Sequence, residues 1–151
     1  MRKRTLGVLT VVLLAFAVVQ AENWPQWRGP SLNGTSAEKN LPVKWTAEEN
    51  VAWKVAMPGW SGSTPIIWRD RIFLTAADSS GKRSILCLHR ENGKLLWQTA
   101  APDAPAEHVH RKNGLASATP VTDGEFVYSF LGSQGLIAVD FSGKIVWKRG
   151  L

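Results

Sequence analysis

The sequence predicts an all-β fold of repeated four-stranded antiparallel units, the architecture of a β-propeller, and three observations lead there. First, the apolar residues after position 21 follow a period of two. Ile66-Ile67, Ile72-Phe73-Leu74, 85–88, 127–131 and 136–139 are short runs separated by Gly, Asp, Asn and Ser, the pattern of strands and turns. Second, the runs recur in order. Ser63-Thr64-Pro65-Ile66-Ile67 returns 55 residues later as Ala118-Thr119-Pro120-Val121-Thr122, and Gly93-Lys94-Leu95-Leu96-Trp97 returns 50 residues later as Gly143-Lys144-Ile145-Val146-Trp147. Third, each repeat closes on a tryptophan, Trp97 and Trp147, and a period of about 40 to 55 residues with four short strands is that of a propeller blade.

Taken in order, residues 1–21 read as a signal peptide. Arg2, Lys3 and Arg4 precede an apolar stretch at 6–19, and Val19-Gln20-Ala21 supplies a cleavage site. The apolar stretch is shorter than the roughly 18 to 20 residues that cross a bilayer, so cleavage is favoured over an anchor and no membrane span is expected afterwards. The protein is then exported, to the periplasm or the extracellular space. Three of its 18 Lys and Arg lie in that segment with none of its 12 acids, leaving a formal charge of +3. No basic block interleaved with aromatics remains, which argues against nucleic acid as a partner.

Residues 22–50 are rich in Pro, Gly and polar side chains and read as an N-terminal strap. Residues 51–57, with Trp53, resemble the last strand of a unit that lacks its first three. They are expected to be a closing strand that completes a final blade formed by the far end of the chain, so that no sheet edge is left unpaired. Blades follow at 63–99 and 117–149. The first has the longer internal turn, at 78–83. Asp123-Gly124 is expected to form a type I′ hairpin turn, and Asn92-Gly93 and Ser142-Gly143 are weaker turn signals. Gly93 and Gly143 precede the last strands, Pro65 and Pro120 open the inner ones, and Trp53, Trp97 and Trp147 are expected to dock blade on blade. Only about two blades and a closing strand are present, whereas four to eight close a ring, so the chain is expected to be the N-terminal piece of a larger propeller. The lone Cys87 cannot form an internal disulfide and reads as a small buried hydrophobe.

These residues resemble the pyrroloquinoline-quinone-like (PQQ-like) propeller repeat, whose units run as apolar strand, Ala-x-Asp, Thr-Gly-Lys, apolar pair and Trp. Residues 136–147 fit with one turn residue fewer than usual, and 86–97 fit except that His89 stands in the place of Asp. The segments 23–30 and 41–45 look like the opening of secreted members. The resemblance implies one of two activities. Some relatives are quinoprotein alcohol dehydrogenases that hold PQQ and Ca²⁺ at the propeller's centre; another is a non-catalytic scaffold for assembling outer-membrane proteins. The adjacent cysteine pair of the dehydrogenases is absent, as is an acidic cluster suited to Ca²⁺. No Gly-x-Ser-x-Gly, phosphate-binding loop or His-Glu-x-x-His occurs either. The expectation is therefore a binding or scaffolding module for a protein or polysaccharide, without catalytic residues or a cofactor. The alternative is the N-terminal part of a PQQ- and Ca²⁺-dependent dehydrogenase.

Ligand-facing candidates come from the connection between blades and the start of the inner strand. His110, Arg111, Lys112 and Asn113 precede 116–120 and are expected at the mouth of a central channel; relatives carry a similar run. Trp60, between Gly59 and Ser61-Gly62, is the tryptophan expected to touch ligand. His108 and His110, with His89 as a third partner, would be nitrogen ligands for zinc or copper, a reading weakened by the lack of a nearby carboxylate or thiolate. The bland reading of all these positions is a solvated loop with a turn-forming Asn, and of the tryptophans, core and blade docking.

Overall fold

The computed structural model describes residues 21–105, 107–110 and 113–150; the expected signal peptide, but for Ala21, lies outside them. Two antiparallel sheets make up the fold. The first contains β1 (Gly59–Trp60), β2 (Ile66–Trp68), β3 (Arg71–Asp78), β4 (Arg83–His89) and β5 (Leu95–Ala100). The second contains β6 (Val121–Thr122), β7 (Phe126–Phe130), β8 (Leu136–Asp140) and β9 (Ile145–Arg149), with a 3-10 turn at Gly132–Gln134 between β7 and β8. Both meander from inner to outer strand, and β1 adds to the inner edge of β3 beyond β2. The two expected units are therefore present as antiparallel sheets, the first of five strands and the second of four.

The inner hairpins repeat residue for residue. Ile66 faces Phe73 and Ile67 faces Ile72; 55 residues on, Val121 faces Tyr128 and Thr122 faces Val127. Arg69 (φ 55°) and Gly124 (φ 94°) occupy the same left-handed position of this hairpin. Asp123 does not take a positive φ, so the expected type I′ turn does not form. A longer loop replaces it. Asp123 Oδ1 accepts the N–H groups of Glu125 and Phe126, and Thr122 Oγ1 accepts that of Gly124, an arrangement open to short oxygen-bearing side chains.

Asp-x-Ser-Gly-Lys turns occur twice, at Asp78-Ser79-Ser80-Gly81-Lys82 and at Asp140-Phe141-Ser142-Gly143-Lys144. In each, the Asp Oδ1 accepts from the Ser N–H, the Ser hydroxyl and the Lys N–H. The Ser hydroxyl is the main cause holding each carboxyl below the ordinary aspartate range. Asp140 is thus a turn-forming residue.

Tryptophan–glycine contacts join the layers. A Cβ on Gly143 would lie 2.7 Å from the Trp97 ring, and one on Gly93 would lie 2.5 Å from the Trp53 ring. The indole N–H donates in the same way at both places, Trp97 to the Phe141 carbonyl (2.9 Å) and Trp53 to the Arg90 carbonyl (2.8 Å). Trp53 is therefore docked on the first blade as Trp97 is docked on the second. The expected strand at 51–57 nevertheless does not form. A ladder needs a neighbouring strand, and among the described residues none lies beside it. Thr64 N–H also donates to Thr119 Oγ1 (2.9 Å), a bond between the same position of consecutive repeats.

One core lies between the blades: Ile66, Phe73, Ile85 and Cys87 meet Val127, Ile137 and Val139. A second, with Leu74, Ala76, Leu86 and Leu88, is covered by Trp53 and Met57. The strap ties the inner edge. Trp24 exchanges two 2.8 Å hydrogen bonds with Ile67, and the Pro25 carbonyl accepts from Thr122 N–H (2.9 Å). Of the eight tryptophans, Trp27, Trp45 and Trp60 are more than 60% exposed, and Trp147 is also exposed, so core and docking duty falls to Trp24, Trp53, Trp68 and Trp97.

Candidate binding surface

The two chain reversals that matter lie at one end of the sheets. β3 ends and β4 begins at the Asp78 turn, β1 pairs there (Gly59 with Asp78, Trp60 with Ala77), and the connection to the second blade leaves from Ala101, whose N–H donates to the Arg83 carbonyl (2.9 Å). That connection is fastened mainly by Arg83. Its side chain is 3% exposed, yet it sits at the start of a strand, where its long stem is buried and its fork still reaches acceptors. Nη2 donates to Glu107 Oε2 (2.8 Å), Nη1 to Gln134 Oε1 (2.7 Å) and Nε to the Leu115 carbonyl. Glu107 Oε2 accepts the Ser133 N–H as well (2.7 Å). That backbone bond is the main cause of its carboxyl lying below the ordinary glutamate range, with the Arg83 guanidinium adding to it and burial opposing.

Fixed at Glu107 and Leu115, the connection brings its middle over the Asp78 turn. Asn113 N–H donates to the His110 carbonyl (2.7 Å), Ser117 Oγ to the Gly114 carbonyl (2.7 Å), and Gly62 N–H to the Ala116 carbonyl (3.1 Å). Two hollows result. One, of about 350 Å³, is lined by Pro58, Trp60, Ser79, Val109, Asn113 and Leu115 among others. The other, of about 370 Å³, takes in Glu107, His108, His110, Asn113 and Phe130. The structure thus brings Trp60 and Asn113 to one hollow and His108, His110 and Asn113 to its neighbour. Arg111 and Lys112 lie outside the described residues.

His89 does not join them. It ends β4 at the opposite end from Arg83, and its Nδ1 accepts the Glu91 N–H. Six residue steps of strand separate the two, roughly 20 Å at about 3.3 Å per residue. His89 is therefore no third partner for His108 and His110. Among the described residues no three His, Cys, Asp or Glu side chains are grouped to hold a metal ion. Cys87 is fully buried, and burial pushes its thiol up to about 12, which removes the thiolate that reactivity needs.

Arg83, Glu107, Ser133 and Gln134 were not legible as a group. A single Arg opening an apolar alternation was the one available signal, and its acceptors lie 24 to 51 residues away.

A family model described as outer membrane protein assembly factor BamB matches residues 35–151. No curated protein matches the chain at a significant level. No helix among the described residues is long and apolar enough to cross a membrane.

Proposed function

The chain belongs to the PQQ-like repeat family described as outer membrane protein assembly factor BamB, and from that membership we propose that it is an exported β-propeller module that binds or scaffolds a partner without chemistry of its own. The family is described by outer membrane protein assembly, and the basic and apolar stretch before Ala21 supports an exported location. One observation carries the binding reading. The connection between blades is held by the buried Arg83 and its partly exposed partner Glu107, and it presents Asn113 beside the exposed Trp60. Loops set on a rigid scaffold are where binding residues concentrate.

The quinone-dependent reading asks for cations to meet a polycarboxylate and for carboxylates to hold Ca²⁺. The described residues near the connection do not fit. Arg83 is engaged by Glu107, Gln134 and the Leu115 carbonyl, Glu107 by Arg83 and Ser133, and Asp78 Oδ1 by its own turn.

Site-directed crosslinking tests the reading. With Cys87 buried, a cysteine at position 113 takes a photoreactive maleimide selectively. A cysteine at Glu91, an exposed residue of the β4–β5 turn at the other end of the blade, is the control. Illumination in the exported fraction is expected to yield discrete adducts from 113 and not from 91. Equal adducts from both, or none, would overturn it.

A further inference from the structure

We propose that the hollow beside Trp60 is a subsite for one pyranose ring of a glycan, an inference that rests on the binding reading above. Trp60 is 64% exposed, although an indole in water is unfavourable and β1 is short. Its position is nonetheless built. Gly59 pairs so closely with β3 that a Cβ there would fall 1.9 Å from the Ala77 carbonyl oxygen, and a Cβ on Gly114 would sit 3.1 Å from the Trp60 ring. Gly114 thus backs part of the indole while most of the ring stays open. A flat, rigid aromatic surface with a supported back is suited to stacking on the C–H face of a sugar.

The rim supplies the matching polar groups. Asn113 and Ser79 both stand at the edge of the mostly apolar hollow, and neither side chain makes a hydrogen bond among the described residues. Asp78 uses Oδ1 for Ser80 and Lys82, which leaves Oδ2 as an acceptor. An amide, a hydroxyl and a carboxylate together donate to and accept from vicinal hydroxyls. A volume of about 350 Å³ lies at the small end of ligand sites.

The test uses the full chain and cellotetraose, followed by saturation-transfer NMR and calorimetry. Saturation is expected to be strongest on the C–H protons of one sugar face. Trp60→Ala is expected to weaken binding at least tenfold, Trp60→Phe less, and Asn113→Ala about three- to tenfold, with circular dichroism unchanged throughout. Absence of transfer, or binding insensitive to Trp60→Ala, would sink the proposal. So would a proline decapeptide or tetramethylammonium that binds there more tightly than the sugar. Adducts from position 113 that cellotetraose does not displace would leave the binding reading standing and remove the sugar. Loss of both adducts and sugar binding would remove both.

Discussion

The two blades are near copies in sequence and strand register, yet they are not equally packed. The first lies between two layers, Trp53 and Met57 on one face and the second blade on the other, and β3 and β4 are buried through most of their length. Among the described residues the second is covered on one face only. The row Ile66, Phe73, Cys87 and Trp97 crosses the first sheet and faces the second blade, and Val121, Tyr128, Ala138 and Trp147 form the same row one repeat later. Ile66 and Phe73 are wholly buried, whereas Val121 and Trp147 are each 41% exposed. The same residue class in the same register is therefore core in one blade and surface in the other. Strand pattern decides which face is apolar; the neighbouring layer decides whether that face stabilises the fold.

The sharpest way to break this comparison is to cut the same position in both blades. Phe73 is fully buried, 5.1 Å from Phe141 and 5.9 Å from Trp97 between ring centroids. Phe73→Ala is expected to destabilise by about 3 to 5 kcal/mol, the range for deleting a buried aromatic. Tyr128→Ala, one repeat on, is expected to cost about 1 kcal/mol, because half-covered contacts return little on burial. Urea denaturation of both variants decides. Equal losses would mean that the second blade's outer face is covered in solution, and repeating the measurement at tenfold lower protein concentration would show whether a second copy covers it.

Repeat order, turn glycines and docking tryptophans were legible because each is a local constraint: positive φ selects Gly93 and Gly143, and alternation selects the apolar face. The blade-on-blade docking of Trp97 followed from its spacing alone. The closing strand at 51–57 was half legible. Trp53 marked its docking, but a strand is a property of a pair, and the pairing partner lies in no described residue. The Asp123 turn was misread because Asp-Gly signals a tight hairpin only when both residues adopt positive φ, and Asp123 instead receives two backbone N–H groups. Trp60 and Asn113 were legible as separate candidates. Their shared hollow was not, since it depends on Arg83 reaching across the sequence to Glu107, Leu115 and Gln134.

The tryptophans sharpen the comparison at the outer strands. Trp97 meets Gly143 and donates to the Phe141 carbonyl, whereas Trp147 is exposed and packs sideways on Tyr128, 6.0 Å between ring centroids. Trp97→Ala is expected to destabilise by about 2 to 4 kcal/mol through lost packing and an unmet acceptor, and Trp147→Ala by no more than about 1 kcal/mol. Thermal unfolding monitored by far-ultraviolet circular dichroism orders the two. A larger loss for Trp147 would show that a layer resembling the second blade stands against it.

The smallest effect concerns the tie between the blades. Glu107 contacts Arg83 of the first blade and Ser133 of the second, and its carboxyl is held below the ordinary glutamate range, first by the Ser133 N–H and then by Arg83. A carboxyl lowered on folding contributes stability that is fully present above its unfolded value, about 4.3 for glutamate, and is lost as pH falls through the folded value. Its side chain is about one-third exposed, so solvent screens the interaction and the expected contribution at neutral pH is no more than about 1 kcal/mol. Glu107→Gln keeps the shape and removes the charge. The variant is therefore expected to be slightly less stable than the wild type at pH 7 and to converge with it as pH falls through the lowered folded value, where the wild-type carboxyl is protonated as well. Asp78, Asp123 and Asp140 also lie below their ordinary range, but they are unchanged in the variant, so their titration cancels in the difference. Urea midpoints measured from pH 3 to 7 read the convergence directly. A gap that stayed constant across that range would mean that Glu107 holds the blades by shape and not by charge, and Arg83 would then be the residue that sets the connection.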